Sequence, residues 1–306
     1  MPISEAIQVI FAARELLYVN TREIFYKGEQ MKKSALILSL ATATAVLSAP
    51  VTYVNPKGEY TSSTALSLQG ILDSLTVGGP SSVNVATEQI ADDEVWQKTN
   101  SNTTGVELLV EIAGYRNGNT FGLYDINNTS NKIQVFAGAN SPLTSYTIFI
   151  NGANQVSVWD LGGGSLISTG ALTSPLFGFY LTNAVGQTLY SQVGKNSDGF
   201  DHMVTYQGEG DVLDLQAYQQ PKTGTTLRTW NSGAYILAWE DIVGEQRGKR
   251  GSCWDGQGKI GPADCDYNDM IVMVESMAPV PEPTTIGLMG LGLLGLFAVA
   301  RRKIKK

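Results

Sequence analysis

Five carboxylates and one carboxamide fall in two tight groups, Glu240-Asp241 and Asp264, Asp266, Asn268 and Asp269. Each group abuts an apolar, β-prone run: Tyr235 to Trp239 ends where the first begins, and Met270 to Val274 begins where the second ends. If the two runs pair as antiparallel strands, the acids meet at one end of a sheet. Crowded carboxylates raise one another's pKa unless a cation neutralises them. Hard oxygen donors without clustered His or paired thiolates select Ca2+ or Mg2+ over zinc or copper, and calcium is the expectation. Asp264, Asp266 and Asn268 fall at the first three ligand positions of a calcium loop and Glu275 at the twelfth. Asp269, however, stands where an EF-hand needs Gly, and Ile271 to Val274 reads as strand, so the loop is not an EF-hand. Asp and Asn also form ordinary turns, which keeps open a reading of surface turns in an acidic protein.

The elements that must position these groups are short and β-rich. Val106 to Ala113, Thr120 to Ile126, Lys132 to Phe136, Ser145 to Ile150, Gln155 to Trp159, Leu176 to Thr182, Thr188 to Gln192 and His202 to Gln207 are runs of β-branched and aromatic residues separated by Gly, Asn, Ser and Pro. With the two runs beside the acids, they predict an all-β body, a sandwich or jelly roll. Residues 50–104 have weaker periodicity and predict an irregular section packed onto it, with one short helix within Ala65 to Leu75. The β-sandwich domain is expected over 105–277, and a composition shift near Ala278 marks a linker into a tail.

The chain has 306 residues, 43% of them hydrophobic, so a sizeable core is available. Residues 50–278 carry 23 acidic and 11 basic side chains, a net charge of −12. Such a body repels phosphate, and no basic aromatic stripe offsets this, which argues against nucleic acid. Cys253 and Cys265 are the only two cysteines. In an oxidising compartment they are expected to bridge, closing a short loop worth about 3 kcal/mol. That bridge would tether Trp254 and the basic Arg247, Lys249 and Arg250 near the acids, making Trp254 a candidate ligand contact. A zinc site is not expected from two thiols and one distant His. His202, the only histidine, reads as a hydrogen-bonded structural residue. No Gly-x-Ser-x-Gly elbow is present, and Glu240 and Asp241 would face opposite ways on a continuing strand, so an enzyme is not expected. Trp159, Trp230, Trp239, Tyr206 and Tyr267 read first as core, with stacking on sugar rings as the alternative.

Both ends carry addresses. Lys32-Lys33, the apolar run Ala35 to Leu47 and the small-residue site Leu47-Ser48-Ala49 have the form of a secretory signal peptide over 31–49. Residues 1–30 then read as an upstream extension, with translation expected to start at Met31. At the far end, Pro281-Glu282-Pro283 is followed by an apolar run, Thr284 to Ala300, as long as a short membrane-spanning helix, and by Arg301, Arg302, Lys303, Lys305 and Lys306. The positive-inside rule keeps that basic end in the cytoplasm and the body outside. The tail, 278–306, resembles the PEP-CTERM sorting signal of Gram-negative bacteria. The resemblance implies recognition by an exosortase, a membrane protease, a transient inner-membrane anchor, and export in species that make exopolysaccharide.

The body resembles, through Phe121-Gly122-Leu123-Tyr124-Asp125, Phe177-Gly178-Phe179-Tyr180-Leu181, Asp201-His202-Met203 and the two acidic groups, an uncharacterised domain family. That family occurs in secreted proteins and in calcium-dependent surface adhesins. The resemblance implies a β-sandwich with an acidic, calcium-binding edge and no reaction. The loop Gly244 to Ala263 is longer than the family pattern. The expectation is an exported surface or matrix protein, a calcium-stabilised binding or adhesion module associated with exopolysaccharide or biofilm. A structural surface protein without a specific ligand is the alternative, and a carbohydrate-active hydrolase a more distant one.

Overall fold

The computed structural model describes residues 52–53, 67–99, 103–111, 118–138, 140, 143–217, 224–243, 253–254 and 267–281. In chain order the elements are β1 (Thr52–Tyr53), α1 (Leu68–Leu75), β2 (Trp96–Lys98), β3 (Thr103–Glu111), β4 (Thr120–Asp125), β5 (Asn128–Phe136), β6 (Ser145–Ile150), β7 (Gln155–Asp160), β8 (Ser165–Ala171) and β9 (Leu176–Thr182). They continue with β10 (Thr188–Tyr190), β11 (Met203–Gln207), β12 (Asp211–Asp214), β13 (Leu227–Trp230), β14 (Ala234–Trp239), β15 (Cys253–Trp254), β16 (Met270–Glu275) and β17 (Met277–Pro279). Among the described residues the body is all-β apart from α1 and one 3-10 turn. The signal segment 31–49, the extension 1–30 and the apolar run after Pro283 lie outside the described residues.

Two antiparallel sheets face each other. One runs β17-β2-β9-β4-β5, with β10 also on the edge of β9; the other runs β11-β14-β16-β3-β6-β7-β8. Their inner faces share a core of Trp96, Phe121, Phe179, Leu237, Trp239 and Val272, among others. The second sheet is also covered from outside over β11, β14 and β16, where α1 packs Leu68, Ile71, Leu72 and Leu75 against Val204, Tyr206, Ile236 and Ile271. These four helix positions follow the i, i+3, i+4, i+7 spacing of a one-sided helix. Ser67 caps its start by accepting the Gly70 N–H at 3.1 Å. Strands buried on both faces are apolar at every position, which explains the unbroken runs of β14 and β16. β6 and β7 alternate, because no described element covers their outer face: Ile148, Val156 and Val158 point inward while Phe149, Ser157 and Trp159 stay half-buried.

The Phe-Gly-x-Tyr repeats of β4 and β9 have a mutual explanation. These strands pair with Gly122 opposite Tyr180 and Tyr124 opposite Gly178. A Cβ on Gly178 would sit 2.3 Å from the Tyr124 ring, and one on Gly122 would sit 2.9 Å from the Tyr180 ring and 2.1 Å from the Ile133 carbonyl oxygen. Each tyrosine lies over the other repeat's glycine, with the phenylalanines on the opposite, inward face. Lys132 adds its ammonium 5.2 Å from the Tyr180 ring centre and 5.5 Å from that of Tyr190.

Two expectations need correction, and one strand goes beyond them. The section 50–104 is not merely an irregular packing layer, since β2 enters the first sheet and places Trp96 in the main core. The linker expected near Ala278 is strand instead: Met277, Ala278 and Pro279 pair with Lys98, Gln97 and Trp96. β8 adds a strand that matches none of the expected runs, because Ser165-Leu-Ile-Ser-Thr-Gly-Ala lacks the apolar alternation of a half-buried strand. It pairs with β7 as an edge strand with most of its side chains in solvent.

Candidate metal centre

β14 and β16 pair antiparallel with Trp239 opposite Met270, so the residues after the one and before the other emerge at the same end. Glu240, Asp241 and Asp269 each bring a carboxylate oxygen within 4.8 Å of the others'. The strand stops at Trp239, which frees Glu240 and Asp241 from strand alternation. The two therefore do not diverge to opposite faces as a continuing strand would require; both are buried.

The backbone around them is fastened from several elements. Glu240 donates its N–H to the His202 carbonyl at 3.0 Å. The Nδ1 of His202 lies 3.1 Å from the Glu240 carbonyl, and its Nε2 lies 3.0 Å from Asp198 Oδ2. His202 is thus a fully buried clamp on the first acidic pair. Asp241 donates its N–H to Asp269 Oδ2 at 2.8 Å. From the other sheet, Asn183 Nδ2 donates to the Asp241 carbonyl at 2.9 Å, and Asn119 Nδ2 donates to Asp241 Oδ2 at 2.9 Å. Tyr267 adopts φ +51°, a conformation rare for a bulky residue. Its hydroxyl donates to the Asp201 carbonyl at 2.6 Å, which pins the turn that delivers Asp269. Burial, then the charges of Asp201 and Glu240, push the Tyr267 phenol well above its usual range.

Of the sequence candidates, Glu240, Asp241 and Asp269 come together, and Asn268 is buried beside them in the chain. Asp264, Asp266 and Cys265 lie outside the described residues, as do the side chains of Cys253 and Trp254; the backbone of Cys253–Trp254 pairs with Thr52–Tyr53. Glu275 sits at the far end of β16 opposite Ala234, roughly 17 Å along the strand from Met270, and takes no part in the cluster. Trp230, Trp239, Tyr206 and Tyr267 are fully buried core residues. Asn119 and Asn183 went unnoticed because each lies in a turn far away in sequence, where a carboxamide reads as turn chemistry.

A second acidic pair lies beneath. Asp93 is 3% exposed and its Oδ2 has no hydrogen-bond partner; burial raises its pKa to about 7. Asp201 is likewise raised well above the carboxylate range by burial and by Asp93. A carboxyl with a higher pKa folded than unfolded binds more protons in the native state, so stability falls as pH rises from about 4 to about 7 and is level above. The expected loss is on the order of a few kcal/mol. Urea midpoints at pH 5 and pH 8 in chelator should show it in the wild type, and Asp93→Asn should flatten the difference chiefly by gaining stability at pH 8.

On the outer face of β6, β7 and β8 lies a groove of about 920 Å3 whose lining includes Phe149, Asn151, Gln155, Ser157, Trp159 and Thr169 and, among the described residues, no charged side chain. Trp159 Nε1 donates to Ser157 Oγ at 3.1 Å, fixing the indole on the outer face. Leu161, at the rim, is 62% exposed.

Among the described residues no helix is long and apolar enough to cross a membrane. Pro281 is exposed, and Glu282 and Pro283 lie outside the described residues. No curated protein and no solved structure matches the chain. Residues 279–303 match the PEP-CTERM protein-sorting motif. The chain therefore carries a signal for processing by an exosortase-type membrane protease, for export, and for transient membrane anchoring before sorting to the cell surface.

Proposed function

We propose that this chain is a cell-surface or extracellular-matrix binding module, stabilised by calcium and associated with exopolysaccharide in a biofilm, and that it is not an enzyme. The observation that carries the calcium reading is the cluster of Glu240 and Asp241, both buried, with the half-buried Asp269. Three such groups have a strong reason to recruit a hard cation, because desolvation and mutual repulsion both oppose their ionised forms. The resemblance of the body to an adhesin-associated β-sandwich family supports the same reading. The disulfide between Cys253 and Cys265 and a contact role for Trp254 belong to this proposal.

The ligand reading draws support from the groove on the outer face of β6, β7 and β8. A neutral groove with two aromatic rings, amides and hydroxyls suits a sugar chain, which offers apolar ring faces and hydroxyl edges. The test is co-sedimentation of the purified protein with a panel of insoluble polysaccharides, in calcium and in chelator. Calcium-dependent retention by at least one polysaccharide is expected, reduced about tenfold in Trp159→Ala by the loss of one stacked ring. No retention on any of them would favour the alternative, a structural surface protein whose cation only rigidifies the fold. A glycan that is shortened during incubation would instead favour the hydrolase reading.

A further inference from the structure

The Asn119 side chain is 1% exposed, and its Oδ1 has no hydrogen-bond partner. Buried polar atoms are almost always satisfied, and an exception calls for a water, an ion or a role. The orientation of this amide follows from its neighbour. Asp241 Oδ2 is an acceptor, so the NH2 must face it, as it does at 2.9 Å, and a flipped amide would set two oxygens against each other. The same amide thus leaves a neutral oxygen next to the Asp241 carboxylate, itself one of the three clustered acids, without a proton to accept from any described group.

The topology makes this placement consequential. Asn119 immediately precedes β4, and Asn183 immediately follows β9; Thr120 and Thr182, the next residues inward, pair with each other. Both asparagines therefore stand at one end of the first sheet. Glu240, Asp241 and Asp269 stand at the corresponding end of the second, after β14 and before β16. Gly118 approaches Ala184 so closely that a Cβ on it would lie 2.3 Å from the Ala184 Cβ, which holds the two asparagine turns together.

Resting on the calcium reading above, we infer that the Asn119 side-chain oxygen is a further ligand of that cation, so that the bound ion fastens the two sheets of the sandwich to each other at this end. Calcium suits the set: it accepts carboxylate and carboxamide oxygens in flexible numbers, whereas Mg2+ holds its water and demands a strict octahedron. A site assembled from both sheets exists only when they are packed. Binding is therefore linked to the sandwich as a whole and not to the β14-β16 hairpin alone.

The experiment is calcium titration by calorimetry of the wild-type protein, Asn119→Ala, Asn119→Asp and Asp269→Asn, with hydrogen exchange of the β4 amides, Thr120 to Tyr124, and the β16 amides in calcium and in chelator. The wild type is expected to bind calcium and to gain protection in both strands. Asn119→Ala should bind at least tenfold more weakly and lose the calcium-dependent protection of β4, and Asp269→Asn should lose both protections. Asn119→Asp keeps an oxygen ligand but sets a charge against Asp241. It should be destabilised in chelator and recovered by calcium, a reversal that a merely structural asparagine would not show. If Asn119→Ala binds calcium as tightly as the wild type with β4 still protected, the two-sheet clamp is wrong and the calcium reading stands. If the wild type binds no calcium, both fall. Should Asn119→Ala fail to fold, the aspartate variant decides: destabilisation that calcium does not relieve overturns the clamp.

Discussion

Calcium added to the protein in chelator should raise its thermal unfolding midpoint by on the order of 10 °C, and an Asp241→Asn, Asp269→Asn double variant should show no rise. A ligand that binds only the native state stabilises it by about 4 kcal/mol at a thousandfold excess over its dissociation constant. For a domain of this size each kcal/mol moves the midpoint by about 2–4 °C. The variant keeps the local hydrogen bonds, since an Asn oxygen can still accept from the Asp241 backbone at position 269 and from Asn119 at position 241. It removes two of the three crowded charges. In chelator it should therefore be at least as stable as the wild type, and in calcium less stable, so the two sets of curves cross. Coincident wild-type curves with and without calcium would return the carboxylates to ordinary turn chemistry.

The second large effect concerns the crossed Phe-Gly-x-Tyr repeats. Gly122→Ala places a methyl 2.1 Å from the Ile133 carbonyl oxygen, a backbone atom that cannot move without breaking the β4-β5 ladder. Overpacking a well-packed site costs about 1–3 kcal/mol when side chains absorb it. Here the ladder must give, and the loss should exceed that range or abolish folding. The three atoms nearest to a methyl in Gly178→Ala all belong to the side chain of Tyr124, whose hydroxyl donates to Gln192 Oε1 at 2.8 Å, and the loss should fall within the range. Replacing Tyr124 with Ala in the Gly178→Ala background should recover part of that loss, because the clash and the ring are removed together. Urea midpoints of the four proteins in that cycle measure the coupling, and strict additivity would mean that the ring does not constrain the glycine.

Much of this architecture could be read from residue order. β4, β6, β7, β9, β14 and β16 appeared as apolar or alternating runs because local burial writes itself into local sequence. The meeting of Glu240 with Asp269 was readable for the same reason, since an antiparallel pair brings together what leaves one strand and enters the next. The third layer over β14 was not deduced, although its trace was present: a run buried on both faces has lost the alternation that would mark one face as solvent. β2 was overlooked since three residues give no periodicity, and its membership in the sheet is set by partners at β9 and β17. Asn119 and Asn183 could not be found from pattern at all. Their role depends on a turn of one sheet arriving beside a turn of the other, a relation written only in three dimensions.

The short last strand bears on what happens at the membrane. The Val280 N–H bonds the Val95 carbonyl at 2.8 Å, and the sorting match starts at Pro279, so the address label begins where the hydrogen-bonded edge ends. Among the described residues, a cut beyond Val280 removes no strand, no core side chain and none of the three clustered carboxylates. Pro279 on that outermost strand also withholds one donor from any neighbouring copy approaching to extend the sheet. The shipping label can be torn off without opening the parcel, and the seam it leaves gives other strands little to grip.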